Sequence, residues 1–279
     1  MIPAHSGRGK QTRMTDSMPP GQMAALQPPP PPQPNWALFL DIDGTLLDIA
    51  DTPDRVQVPA RLLDDLQAAE KKLSGALALV SGRPISEIDK LFDPLKLAAS
   101  GQHGSEWRPV PGAATQSVSE APLPAGLHEA AAKLGNLHPG IVVERKTHAL
   151  AVHYRNAPDF GAEIGGRLAA AMAGFDGLML LHGKAVWEIK DAQQSKGTAV
   201  NLFMRQPAFA DRVAVFIGDD RTDEDGFHAV EEHGGLAIPV GQLALKRGRA
   251  QGKPIVAFAT PTQVRKWLSD FAMRDGAAA

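Results

Sequence analysis

Two aspartates, Asp41 and Asp43, stand two residues apart and are followed at once by Gly44 and Thr45. That order suits phosphoryl transfer onto a carboxylate. The first acid can attack phosphorus and become an aspartyl phosphate; the second can protonate the leaving oxygen and later take a proton from water. Gly44 lets the backbone come close to a phosphate, and its N–H and Thr45 can donate to phosphate oxygens. Negative charge crowded in this way calls for a cation, and Mg2+ is the usual partner of carboxylate and phosphate oxygens. The plain alternative is an Asp-Gly turn whose acids only cap backbone groups.

Such a turn must be held by rigid elements. Ala37 to Leu40 is apolar on both faces, as a strand covered by helices on both sides should be, so the acids sit at its carboxyl end, where open α/β sheets bind ligands. Pro59 opens a helix with Leu62, Leu63, Leu66, Ala69 and Leu73 on one stripe. Ala76 to Val80 is a second apolar strand, ending in Ser81-Gly82-Arg83-Pro84. The Ser81 hydroxyl, just before a helix start, is placed to bind a phosphate oxygen, although a Ser-Gly turn there is commonplace by itself. Leu97 to Ser100 reads as a third strand leading to His103, which is either a substrate contact or a hydrogen-bonded loop histidine.

Further along, Lys196 opens a helix, either as a solvated lysine or as a cation for the site, and Val213 to Ile217 is apolar throughout. That strand ends in Gly218-Asp219-Asp220-Arg221-Thr222-Asp223, a second acidic cluster at a carboxyl end. From Arg221 the loop nearly fits a calcium EF-hand, but an arginine at its first position and a strand before it exclude that reading. Gly183-Lys184 is no P-loop, because Gly177 lies one residue too far back and Ala185 stands where a magnesium-binding hydroxyl is needed. Gly235 to Val240 and Pro254 to Ala259 supply further strands, and Thr262 to Phe271 a closing helix.

Between these halves the pattern changes. Leu127 to Leu137 is helical, Ile141 to Glu144 and His148 to Arg155 alternate as paired strands, Asp159 to Gly174 is helical again, and Leu178 to Leu181 with Ala185 to Ile189 forms a hairpin. This αββαββ order predicts a small antiparallel sheet with two helices on one face, inserted into a parallel core. The expected organisation is a disordered proline-rich arm over 1–34, a core over 35–108, a cap over 109–190 and the rest of the core over 191–279.

The Asp41-to-Thr45 motif resembles the haloacid dehalogenase (HAD) superfamily of phosphatases, and Ser-Gly-Arg after the second strand is what its sugar-phosphatase members show. The resemblance covers nearly everything after residue 35, and the combination of FLDIDGTLLDI, SGR, GxHGxE, GKxVxEI, SKG and GDDRTDEDGF is similar to the trehalose-6-phosphate phosphatase family. It implies a Rossmann-like core, an inserted α/β cap of the C2B type, Mg2+ dependence, and hydrolysis of trehalose 6-phosphate. The corresponding set is Asp41, Asp43 and Lys196 for catalysis, with Gly44, Thr45, Ser81 and Gly82 around the phosphate. Mg2+ would be held by the Asp41 carboxylate, the Asp43 backbone carbonyl and the Asp219 carboxylate, with Asp220 and Asp223 supporting them or their water ligands. Lys190-Asp191 departs from the Arg-Pro that this family often carries before the lysine.

In the insertion, Glu144 and Lys146 share a strand face, and Glu188 lies on a strand that can pair nearby. They are either a surface salt-bridge cluster or donors and acceptors for a polyhydroxyl ligand, and the resemblance favours sugar binding, with His103 beside them. Two rival activities stay open: a phosphatase for another sugar phosphate, and a non-catalytic regulatory subunit that binds trehalose 6-phosphate.

Over 279 residues, 43% hydrophobic content is enough for a substantial core. With 29 basic against 31 acidic residues, net charge −2, no general field attracts nucleic acid or an anionic membrane, so neither is an expected partner. The chain has no cysteine, which excludes disulfides, zinc thiolates and cysteine nucleophiles and fits a cytoplasmic location. No apolar run has the length of a membrane span. A monomer acting on a small molecule is the simplest expectation.

Overall fold

A computed structural model of the chain describes residues 26–50, 55–118, 122–146, 148–183, 185–251 and 255–274, with the backbone only at 249 and 251. The expected loop at 51–54, Lys184 of the hairpin, Pro254 and residues 1–25 of the arm lie outside these residues.

The chain runs through β1 (Leu26–Gln27), β2 (Trp36–Leu40), α1 (Ala60–Lys72), β3 (Leu77–Val80), α2 (Ile85–Leu91), β4 (Ala98–Gly101), β5 (Glu106–Arg108) and β6 (Gln116–Ser117). Then come α3 (Ala125–Gly135), β7 (Val142–Arg145), β8 (Ala149–His153), α4 (Gly161–Ala171), β9 (Leu178–Gly183) and β10 (Val186–Asp191). It returns through α5 (Lys196–Met204), β11 (Val213–Gly218), α6 (Asp223–Glu232), β12 (Leu236–Pro239), α7 (Gly241–Gln251), β13 (Ile255–Val256) and α8 (Pro261–Met273).

The larger sheet has the order β12-β11-β2-β3-β4-β5-β6, parallel from β12 to β4 and antiparallel beyond. Every residue of β2 and β3 is buried, because helices cover both faces, and this explains their uninterrupted apolar sequence. Phe39 stacks on Phe209 at 5.6 Å and lies 5.9 Å from Phe203, and all three rings are fully buried. Burial at this level is worth roughly 1.5–3 kcal/mol per ring. The central position of β2 brings the carboxyl ends of β11 and β3 to either side of the Asp41–Thr45 turn.

The smaller sheet, β7-β8-β10-β9, is antiparallel throughout, with α3 and α4 packed on one face around Leu127, Ile164, Leu168, Leu150 and Val152. This is the expected αββαββ insertion. Its expected start at residue 109 needs correction. Gln116 and Ser117 form β6, which pairs with β5 and so extends the core sheet into the segment expected to belong to the cap. A two-residue strand rich in turn neighbours has too few residues to show an alternation in the sequence.

The arm is also partly corrected. Leu26 and Gln27 pair in parallel with Ile255 and Val256, Trp267 Nε1 donates to Pro30 O at 2.9 Å, and Arg212 Nη1 donates to Pro34 O at 2.7 Å. Residues 26–34 are therefore a strap laid on the core. Proline lacks an N–H but keeps a carbonyl acceptor, so an extended proline segment can be held by donors from its surroundings alone.

Candidate active site

The turn after β2 closes on itself: Thr45, Leu46 and Leu47 donate their N–H groups to Ile42 O, and Gly44 N–H donates to Leu47 O at 2.8 Å. The expectation that the Gly44 N–H faces a phosphate is therefore not met in this structure. What the glycine supplies is room. Its φ is +89°, and a Cβ there would fall 2.1 Å from Asp219 Oδ2, so no other residue lets β11 bring its acid this close. Thr45 Oγ1 lies 3.1 Å from Asp41 Oδ2 and 3.3 Å from Asp219 Oδ1, within donating distance of both.

Lys196 reaches the cluster from the first turn of α5. Ser195 caps that helix, its side chain accepting from the N–H groups of Gly197 and Thr198 while the Thr198 hydroxyl accepts from Ser195 N–H. This reciprocal cap fixes the helix start and hence the lysine. Lys196 Nζ donates to Asp41 Oδ1 and to Asp223 Oδ1, both at 2.6 Å, and all three side chains are buried. Asp223 in turn accepts from the backbone N–H groups of Asp219 and Asp220 with its other oxygen. One buried aspartate thus shapes the acidic loop and holds the lysine.

Carboxylate oxygens of Asp41, Asp219 and Asp223 lie within 4.8 Å of one another. Burial, with the negative neighbours, pushes Asp41 up to about 7, Asp219 up to about 8 and Asp223 up to about 6. Burial opposes the charge on Lys196, but Asp223 and Asp41 outweigh it and raise the lysine above its ordinary value. Three carboxylates against one ammonium leave negative charge uncompensated, and the hard oxygen donors fit a small divalent cation. Asp220 is held ionised against burial by Lys196 and by Thr222, whose N–H and hydroxyl donate to its Oδ1 at 2.6 and 2.7 Å.

Asp43 is gripped from the β3 side. Arg83 donates through Nε and Nη2 to the two Asp43 oxygens at 2.6 and 2.7 Å, a bidentate pair. Arg83 was legible only as part of the Ser-Gly-Arg motif, and its partner could not be named from spacing alone. Ser81 is buried at the end of β3, where its Oγ accepts from Arg83 N–H at 3.2 Å.

Four expected ligand-binding residues meet across the cleft. Glu144 and Glu188 both pair in register with Ala151 of β8, so they share the sheet face turned away from α3 and α4. Glu188 Oε2 lies 3.0 Å from His103 Nε2, and Lys146 Nζ donates to Glu188 Oε1 at 3.0 Å and to Gly82 O at 3.1 Å. Burial opposes the charge on Glu188, yet His103 and Lys146 hold it well below the usual carboxylate range. Lys146 is raised, its burial outweighed by Glu188 and Glu144. His103 follows Gln102 in a pair of left-handed residues (φ 54° and 48°), and a Cβ on Gly82 would strike its ring at 2.6 Å. Its Nδ1 is buried without a partner. The left-handed backbone turns the ring toward Glu188, which it meets across the cleft.

An open parallel sheet interrupted by an antiparallel cap, with acids at the strand ends beneath it, is the architecture of HAD phosphatases. The C-terminal domain of a trehalose-6-phosphate phosphatase from C. albicans shares the fold at a TM-score of 0.69 and 21% identity, covering 85% of this chain and 92% of that one. A family model described as trehalose-phosphatase matches residues 39–254. The sequence is 46% identical over 212 residues to a probable trehalose-phosphate phosphatase of Sinorhizobium fredii (strain NBRC 101917 / NGR234), covering 74% of this chain and 78% of that protein. It is 36% identical over 231 residues to a trehalose-6-phosphate phosphatase of Escherichia coli (strain K12), covering 79% and 84%. The chain belongs to the trehalose-phosphatase family.

Proposed function

We propose that the protein hydrolyses trehalose 6-phosphate to trehalose and inorganic phosphate, a step of trehalose biosynthesis. The observation that carries this reading, in a chain of this family, is the pair of 2.6 Å contacts by which Lys196 holds Asp41 and Asp223 beneath the cap. Asp41 attacks phosphorus, and the sugar oxygen leaves with the proton of Asp43. Water then attacks the aspartyl phosphate, Asp43 takes its proton, and Asp41 is released. Lys196 offsets charge on the phosphoryl oxygens, and Ser81 and Thr45 orient them.

Asp41 and Asp219, with the Asp43 carbonyl, would hold Mg2+, and Asp223 and Asp220 keep the loop in shape behind them. When bound, the ion supplies further neutralisation of the charge that gathers on the phosphoryl group. The sugar is gripped by Glu144, Lys146, Glu188 and His103. We take residues 35–117 and 191–279 as the core and the intervening segment as the cap. No helix among the described residues is long and apolar enough to cross a membrane. The absence of cysteine fits an enzyme of the cytoplasm.

The test is phosphate release from trehalose 6-phosphate by the wild type and by Asp41→Asn, with Mg2+ and after chelation. Turnover should vanish in the near-isosteric variant and on chelation. Substantial activity in Asp41→Asn would overturn the aspartyl-phosphate route.

A further inference from the structure

Along β8 the residues alternate. Leu150 and Val152 are buried against the cap helices, while Ala149, Ala151 and His153 belong to the opposite face, which carries Glu144 and Glu188 toward the core. The two alanines make a floor without side-chain reach. The next residue on that face, His153, stands up from it, pairing in register with Val142 on one side and Val186 on the other.

His153 Nε2 lies 2.8 Å from Glu144 Oε2. This hydrogen bond, acting against burial and aided by Lys146, holds the Glu144 carboxyl below its ordinary value. An ionised carboxylate only accepts, so Nε2 must be the protonated nitrogen of the pair. In the neutral ring Nδ1 is then an acceptor. It has no partner among the described residues, and the side chain is 32% exposed. Glu144 Oε1 has Lys146 Nζ beside it at 3.7 Å, beyond hydrogen-bond distance. A donor-poor pair of this kind, fixed in tautomer and open to the cleft, is built to receive hydroxyl protons.

Resting on the reading of this site as one for trehalose 6-phosphate, we propose that His153 is a further sugar-binding, specificity-determining residue, its Nδ1 accepting from a sugar hydroxyl while its Nε2 holds Glu144. The ligand class is a polyol with a hydroxyl that lies between Glu144 and the outer end of β8. An aryl phosphate offers no such hydroxyl.

The experiment measures kcat/KM for trehalose 6-phosphate and for p-nitrophenyl phosphate in the wild type and in His153→Ala, His153→Asn and His153→Gln. The asparagine oxygen can stand near the place of Nδ1, whereas the glutamine amide reaches toward Glu144 as Nε2 does. His153→Ala should lower kcat/KM for trehalose 6-phosphate by roughly tenfold or more, and for the aryl phosphate by no more than about twofold. Asparagine should restore more of the sugar reaction than glutamine. Full rescue by glutamine alone would reduce His153 to a support for Glu144 and overturn the proposed contact, as would equal losses on both substrates or no loss on the sugar. Should His153→Ala fail to fold, the asparagine and glutamine variants decide the matter. A wild type that does not turn over trehalose 6-phosphate defeats the reading of the site itself; a wild type that does, with unaffected variants, defeats only the role of His153.

Discussion

Arg83 holds both oxygens of Asp43 at 2.6 and 2.7 Å, so the group assigned to move protons is clamped by a guanidinium from the loop after the neighbouring strand β3. A carboxylate in that fork is fixed in direction, which suits its second task, taking a proton from water. For the first task it must carry a proton, and the fork must loosen. Asp43→Asn should therefore slow sugar phosphate hydrolysis far more than hydrolysis of an activated aryl phosphate, whose leaving group needs no proton. Arg83→Ala should show the same preference in milder form, roughly tenfold on the sugar phosphate. Equal losses on both substrates in both variants would count against proton transfer by Asp43.

Glu188 joins cap to core, since it meets Lys146, just past the end of β7 in the cap, and His103 across the cleft. Its carboxyl is depressed below the ordinary 4.5, so the stability it contributes is present in full above about pH 4.5 and is lost as the pH falls below that value. Removing it leaves Lys146 and His103 without their carboxylate, a loss on the order of 3 kcal/mol for a buried pair. Glu188→Gln should melt well below the wild type near neutral pH, and the gap should narrow as the pH is lowered through about 4. A gap that stays constant with pH would mean that the charge on Glu188 does not contribute.

The same contacts bear on substrate choice. Glu144→Ala, Lys146→Ala and Glu188→Ala should each lower kcat/KM for trehalose 6-phosphate by roughly tenfold or more. Among the described residues, Glu144 makes its hydrogen bond and ion pair with His153 and Lys146 of the cap, so its loss should spare aryl phosphate hydrolysis more than loss of the other two. Lys146 and Glu188 also touch Gly82 and His103, so some loss on both substrates is expected there. The reverse ordering, with Glu144→Ala the least selective, would contradict this division.

The strap offers a test of a different kind. Two backbone pairings with Ile255 and Val256 and the bonds from Trp267 and Arg212 are worth about 1 kcal/mol each at most in water, and Leu26 adds burial beside Leu245 and Ala259. Deleting residues 1–34 should lower the melting temperature by roughly 5 °C or more, with kcat/KM nearly unchanged. An unaltered melting temperature would show that the strap contributes nothing.

How far the sequence could be read depended on the length of each signal. β2, β3 and β11 announce themselves because burial on both faces forces an unbroken apolar run, and the acids that follow then fall at one crevice. The cap was legible in its alternation, and so was the meeting of Glu144, Lys146 and Glu188. The Arg83–Asp43 clamp spans 40 residues and rests on side-chain direction, which no spacing encodes. β1 and β6 are two residues each, too short for any periodicity, and the bonds that hold the strap come mainly from the other side. His153 carries no signal in the sequence, because its place depends on register with Glu144 between β7 and β8, known only once the sheet is paired.

The measurement that bears most directly on the whole account is phosphate release by the wild type, in Mg2+, from a panel of trehalose 6-phosphate, sucrose 6-phosphate, glucosylglycerol phosphate and glucose 6-phosphate, read as kcat/KM. The account predicts that trehalose 6-phosphate exceeds each of the others by roughly a hundredfold or more, as expected when several cap contacts are worth about tenfold each. Faster hydrolysis of another sugar phosphate, or tight binding of trehalose 6-phosphate without phosphate release, would contradict it.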